Sequence, residues 1–275
     1  VSMAGFYLNE VIGAVRGYCQ DGGNILLHDI STDSRKVKKG DLFIALIGEN
    51  FDGHDFIRAA VEEGAAAVVA SKPVITASVP VIMVSDTGKA LLDLAGFYRR
   101  KFQKPVIAVT GSVGKTSTKN MIASALSAKL HVHKTEANFN NDIGLPLTIF
   151  QFAEKHDVMV LEMGMRGFGE ISILTRAACP TIAVITNIGI SHLERLGSRE
   201  NILKAKMEIV EGLDENGVLI LNGNDPLLSK VKPNYSGRIV YTGVNIEADY
   251  SAYDLVNRGE ECRTAEKAGG SDGAW

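Results

Sequence analysis

An α/β protein in two units is what the sequence predicts, on three observations. Short apolar runs alternate with helix-spaced segments along most of the chain, the runs in the second half are continuous, and one of them leads into a glycine loop followed by a helix pattern. Continuous apolar strands are buried on both faces, as in parallel sheets flanked by helices. Alternating strand and helix is the pattern of a doubly wound sheet. The 275 residues, 45% hydrophobic and 22% charged, suit one large or two modest domains and exclude a disordered chain.

In the first unit, residues 41–46, 67–70 and 81–84 read as strands, with helical spacing over 56–63. Residues 87–102 read as a longer helix, stopped by Lys104-Pro105 because the residue before a proline is pushed off helical angles. The boundary falls near 85–104, giving domains 1–84 and 85–263. In the second, 106–109, 158–163, 182–186 and 218–221 are the buried strands, 115–130 and 200–213 supply helices, and 238–242 offers a further strand. No packed element is expected after about Val256. Residues 263–275 have Trp275 as their one bulky apolar side chain, so 264–275 is expected to be an unstructured tail.

Net charge is −3 with acids and bases interspersed, and no basic stripe calls for nucleic acid. Cys19, Cys179 and Cys262 form no CxxC pair, so neither a zinc site nor a disulfide framework is expected. Reduced thiols fit a cytosol. Residues 1–9 show no basic stretch followed by an apolar core, and the runs 65–70 and 79–84 are too short to span a bilayer. The expectation is a soluble, cytoplasmic protein with no membrane partner.

The chemistry concentrates at Thr110, Gly111, Ser112, Val113, Gly114, Lys115, Thr116 and Ser117. Strand, glycine loop and helix start follow in order. Glycines let backbone N–H groups turn towards phosphate oxygens, and the helix N-terminus adds positive potential. Lys115 can reach the β- and γ-phosphates of ATP, and the Thr116 hydroxyl can coordinate Mg²⁺. Two residues separate Gly111 from Gly114 where the common loop has four, so this is a variant loop. Mg²⁺ needs further oxygen ligands. Glu162 closes the run 158–161 at the carboxyl edge, where ligands bind in such sheets, and His192 follows the strand 182–186 and a turn. His131 and His133 alternate on one strand with no acid beside them and read as structural.

These motifs together resemble the Mur ligase family, which builds the peptide of bacterial cell-wall (peptidoglycan) precursors. The loop 110–117 looks like that family's short ATP loop. Asp33-Ser-Arg-Lys-Val37, Gly40-Asp-Leu-Phe-Ile-Ala-Leu46 and Gly48-Glu-Asn-Phe-Asp-Gly-His54 look like its UDP-substrate domain. Asn138-Phe-Asn-Asn-Asp-Ile-Gly-Leu-Pro-Leu-Thr148, Glu162-Met-Gly-Met-Arg-Gly167 and Asn187-Ile-Gly-Ile-Ser-His-Leu193 point to the member that joins D-alanyl-D-alanine to UDP-N-acetylmuramoyl-tripeptide. The resemblance implies ATP-dependent ligation through an acyl phosphate, with Lys115, His192 and Lys206 catalytic. Thr116 and Glu162 serve one Mg²⁺, and His192 serves a second with Glu162. Lys206 matches the lysine that these ligases carbamylate and is a metal ligand in that form, although Met207 stands where the motif often has glycine. Ser34 and Arg35 contact the nucleotide or its phosphates, and Asn140 and Asn141 donate to the diphosphate or the sugar. A monomer is expected.

The resemblance covers residues 5 to 263 or so. Family members continue into a third domain that closes over ATP, and no match to it follows here. The expectation is a truncated form of weak or no ligase activity. Two rivals stand beside it: a catalytically silent nucleotide-binding fragment, and a folylpolyglutamate-synthase-like ligase, against which the segment 31–54 argues.

Overall fold

The structure is a computed structural model and describes residues 5–20, 22–74, 78–231, 235–258 and 261–268. The chain runs β1 (Phe6–Tyr7), α1 (Leu8–Val15), β2 (Leu26–Leu27), β3 (Ile30–Ser31), β4 (Leu42–Ile44), α2 (Ile57–Glu62), β5 (Ala67–Ala70), β6 (Val81–Met83) and α3 (Thr87–Arg100). It continues β7 (Val106–Thr110), α4 (Lys115–Leu126), β8 (Val132–Lys134), α5 (Gly144–Phe150), β9 (Val158–Glu162), α6 (Glu170–Ala178) and β10 (Ile182–Ile185). Then follow α7 (Leu193–Leu196), α8 (Arg199–Met207), β11 (Val218–Asn222), β12 (Arg238–Val244), β13 (Tyr250–Arg258) and β14 (Glu261–Ala268). By contact these form two units: residues 1–103 with 136–156, and 104–135 with 157–275. The division 1–84 and 85–263 was drawn along the chain. By contact, α3 and 136–156 instead go with the first unit.

The first unit holds a parallel sheet in the order β3-β4-β5-β6 and a short antiparallel pair of β1 with β2. β4 and β5 are buried along their whole length, which explains their unbroken apolar sequences. α3 starts on Asp86, whose carboxylate accepts the Lys89 N–H at 2.9 Å. Its buried residues include Ala90, Leu91, Leu94, Ala95 and Tyr98, a stripe at helical spacing that packs on α1 and α5. Tyr98 is fully buried and donates its hydroxyl to Phe152 O at 2.7 Å, and the rings of Phe6, Phe102 and Phe150 surround it. These packing contacts are why α3 belongs with this unit.

The second unit is built on one sheet in the order β14-β13-β12-β11-β10-β7-β9-β8. All neighbours are parallel except β13 and β14. β7 and β9 are fully buried. From β7 the chain goes to one side for β8 and β9, then crosses to the other for β10. The carboxyl end of β7 is thus the switch point at which ligands bind in such sheets.

Two further expectations change. The tail expected to lack structure from 264 instead contributes β14 as far as Ala268, antiparallel to β13. Bulky apolar residues are not required there, because an edge strand's backbone N–H and C=O groups suffice to pair a further strand. Residues 269–275 lie outside those described. His131, read as having no acid beside it, pairs with Asp157: Nδ1 lies 3.1 Å from Oδ2, which also accepts the His131 N–H at 2.8 Å. Sheet pairing brings the two together across 26 residues of sequence.

Candidate functional site

The glycine loop leaves β7 at Thr110, whose hydroxyl donates to Met163 O at 2.9 Å. Gly111 has φ +151°, and a Cβ there would lie 1.9 Å from Thr186 Oγ1, so only glycine fits. Gly114, at φ +79°, precedes the first residue of α4. The loop is held from the β10 side. Ser112 N–H donates to Asn187 O and Val113 N–H to Asn187 Oδ1, both at 3.1 Å. Val113 O accepts from Asn187 Nδ2 at 3.0 Å and from the Thr186 hydroxyl at 2.7 Å. Lys115 Nζ lies back across the loop and donates to Gly111 O at 2.9 Å. A preformed loop at a helix start, with an ammonium over it, is a site for phosphate oxygens.

One residue along α4, the Thr116 hydroxyl donates to Glu162 Oε2 at 2.8 Å. Glu162 ends β9 and is 3% exposed. Among the described residues no three His, Cys, Asp or Glu side chains gather as a metal cage. A hydroxyl and a carboxylate side by side nevertheless fit Mg²⁺, which is held by one or two protein oxygens and completed by phosphates and water.

A second cluster adjoins the loop. His192 lies at φ +65° as the residue before α7. Burial lowers its pKa first, then the charges of Lys206 and Lys115, with Arg195 adding to them and Glu170 opposing. Lys206 on α8 is 2% exposed, and its pKa falls to about 7, through burial first and then the Lys115 charge. Of the three predicted nitrogen groups, the Lys115 charge thus acts on Lys206, and both lysines act on His192. An amine with a pKa of about 7 is a substantial fraction free base at neutral pH, hence nucleophilic. Two residues on, the Glu208 carboxylate accepts Gly169 N–H at 2.8 Å and Ser172 N–H at 3.2 Å, tying the end of α8 to the start of α6.

The Mur ligase middle domain matches residues 109–270, more than half of the chain, and the Mur ligase family catalytic domain matches 26–99. The chain belongs to the Mur ligase family. A UDP-N-acetylmuramoyl-tripeptide–D-alanyl-D-alanine ligase from Bacillus subtilis is 48% identical over 238 residues, covering 86% of this chain and 51% of that protein. A crystal structure of MurF from Acinetobacter baumannii has a TM-score of 0.90 at 31% identity, over 98% of this chain and 60% of that one. MurF from Thermotoga maritima, solved in complex with ADP, has a TM-score of 0.80 at 34% identity, over 87% of this chain and 56% of that one. The chain spans about half the length of the curated relatives it matches.

In this Mur ligase chain Ser117 lies on α4, in the second unit, and the remaining predicted site residues lie in the first. Ser34 and Arg35 sit on a single 3-10 turn capped by Asp33. The Arg35 guanidinium, 85% exposed, donates Nε and Nη2 to the two Asp33 oxygens at 2.9 Å each. Asn141 is exposed and accepts the N–H of Gly144, the first residue of α5, at 2.8 Å, while Asn140 is half-buried. In the 48–54 loop, Asp52 accepts from Lys72 and lies 2.6 Å from His54 Nδ1, and His54 Nε2 accepts the Ser71 N–H at 2.9 Å. Lys72 first, then His54, holds the Asp52 carboxyl far below the usual carboxylate range.

Several residues around the loop were given no role from the sequence, although Asn187 opens the motif 187–193. Asn187 clamps Val113, and buried Asp225 accepts the N–H groups of Ile188, Leu227 and Leu228 at 2.8, 2.9 and 3.1 Å. Buried Lys119 reaches Thr135 O at 2.7 Å. Asn187 and Asp225 could have been suspected from their place just after strand ends. Lys119 had a weaker signal, its position one helical turn after Lys115.

Proposed function

We propose that this chain carries the UDP-substrate and ATP sites of a ligase that joins D-alanyl-D-alanine to UDP-N-acetylmuramoyl-tripeptide, in peptidoglycan precursor synthesis in the cytoplasm. The observation that carries this reading is the convergence of Lys115, Thr116, Glu162, His192 and Lys206 on the glycine loop, in a chain so similar to ligases of that name.

The loop's backbone N–H groups and Lys115 hold the β- and γ-phosphates of ATP and neutralise charge as the γ-phosphoryl moves. Thr116 and Glu162 would hold Mg²⁺, which would supply further charge neutralisation for phosphoryl transfer. The γ-phosphoryl passes to the tripeptide carboxylate. The resulting acyl phosphate is attacked by the amine of D-alanyl-D-alanine, and phosphate leaves. Burial and the nearby Lys115 charge leave the Lys206 amine free to add CO₂. As one C=O bond of CO₂ opens, a new N–C bond forms and one proton is released, so the neutral amine becomes an anionic carbamate. That carbamate, with His192 and Glu162, serves a second Mg²⁺. Ser34 and Arg35 recognise the nucleotide end of the UDP substrate, with Asn140 and Asn141 donating to its diphosphate or sugar. The unit of action is a monomer.

Binding tests this without requiring turnover. Titrate the 275-residue chain by calorimetry with ATP and Mg²⁺, and separately with UDP-N-acetylmuramoyl-tripeptide. Saturable binding of both is expected. A folded chain that binds neither removes the reading.

A further inference from the structure

Lys119 has no role in the reading above, yet it is 2% exposed beside the metal pair. Its Nζ donates to Thr135 O at 2.7 Å and lies 3.9 Å from Glu162 Oε2, the oxygen that also accepts from Thr116. Thr135 in turn accepts the Glu162 N–H through its hydroxyl at 3.0 Å. Backbone and side chain of Glu162 are thus tied to one small ring of groups: Glu162 to Thr135, Thr135 to Lys119, and Lys119 back to the carboxylate. Thr135, Glu162 and Lys119 are all buried.

A buried lysine loses its hydration, and a single ion pair rarely offsets that loss. Such a pair is weak evidence for stability. Here it has a geometric consequence. Lys119 lies one helical turn beyond Lys115 on α4, so the helix that presents the phosphate lysine also presents the cation facing Glu162. The carboxylate is approached on one oxygen by two groups of one rigid helix, Thr116 and Lys119.

We propose that Lys119 is a positioning residue for the nucleotide's metal, acting through Glu162. It fixes the Glu162 carboxylate against Thr116, so that the pair stands ready for Mg²⁺ as ATP enters. Partners that orient a metal's ligands commonly set metal affinity. This rests on the reading of Thr116 and Glu162 as Mg²⁺ ligands.

The test separates metal from nucleotide. Measure ATP binding by calorimetry across a Mg²⁺ series for the parent and for Lys119→Gln, which loses the charge but keeps an N–H donor for Thr135 O. The half-saturating Mg²⁺ concentration is expected to rise about tenfold, with ATP affinity at saturating Mg²⁺ within about twofold of the parent. A merely structural lysine would weaken ATP binding equally at every Mg²⁺ concentration, and that result overturns the proposal. So does an unchanged Mg²⁺ requirement. If Lys119→Gln lacks native circular dichroism, Thr135→Val is read instead: a smaller rise in the same direction is expected, and none overturns the proposal. A parent whose ATP binding ignores Mg²⁺ would instead remove the metal reading itself, and this one with it.

Discussion

The glycine loop and the 33–35 turn both pair a short polar segment with a cation, but they hold it differently. Lys115 lies over a loop fixed by hydrogen bonds with Thr186 and Asn187, on the helix that also carries buried Lys119, and its charge acts on buried Lys206. Arg35 stands 85% exposed, its fork closed on Asp33, its own neighbour in the turn. Around the loop, charges are dry enough to shift one another's pKa, as His192 and Lys206 show. At the turn, water screens the pair. Chemistry that depends on a free amine or an oriented carboxylate has a place in the first setting. Recognition of a charged ligand by exchange of partners suits the second.

The sharpest way to break this contrast is Lys206. Its folded pKa of about 7 lies below the ordinary lysine value of about 10.4. Between these values the unfolded chain binds more protons, so the group's contribution to stability rises with pH across that window. It is lost as pH falls through 7 and stays constant below. Lys206→Met should flatten the parent's rise between pH 7 and 10 and be the more stable at pH 7, by on the order of 4 kcal/mol. Urea denaturation in CO₂-free buffer at several pH values measures it. Parallel curves for the two proteins would mean that the amine is not desolvated.

Lys115→Ala comes next. Loss of its charge-assisted contacts to phosphate should weaken ATP binding about a hundredfold, roughly 3 kcal/mol, with circular dichroism unchanged. Calorimetry giving parental affinity would detach the loop from nucleotide binding. Gly111→Ala should destabilise the fold by about 2 kcal/mol, through its positive φ and the clash with Thr186. Chemical denaturation is the measurement, and a neutral result would show that the loop is slack. The smallest effect is at the turn. Arg35→Ala should leave stability within about 0.5 kcal/mol, while weakening UDP-N-acetylmuramoyl-tripeptide binding about tenfold. A stability loss as large as that of Gly111→Ala would make the turn structural and end the contrast.

Elements were legible where local pattern and burial agree. Residues 67–70 coincide with β5, and the helix read at 87–102 is α3 to within two residues. Strands of two residues such as β1 and β3 carry too little pattern to be seen. β14 escaped because pairing at a sheet edge is a backbone property. At the site, Lys115 and Thr116 stand in one local motif. Asp225 stands in no such motif: it caps the nearby Leu227 and Leu228 N–H groups, but the contact that ties it to the site, to the Ile188 N–H, spans 37 residues.

By itself the sequence determined the α/β class, the glycine loop and the family, because strand burial, glycine conformations and motif order are written in neighbouring residues. Only the tertiary structure decided which groups share an environment. Lys206 and Lys119 are both lysines on helices, indistinguishable from solvated ones by spacing. One is buried within reach of the Lys115 charge and is driven towards the free amine, while the other is buried against Glu162 and Thr135. Desolvation and the charges nearby set what an amine does, and both are fixed only when distant strands and helices pack.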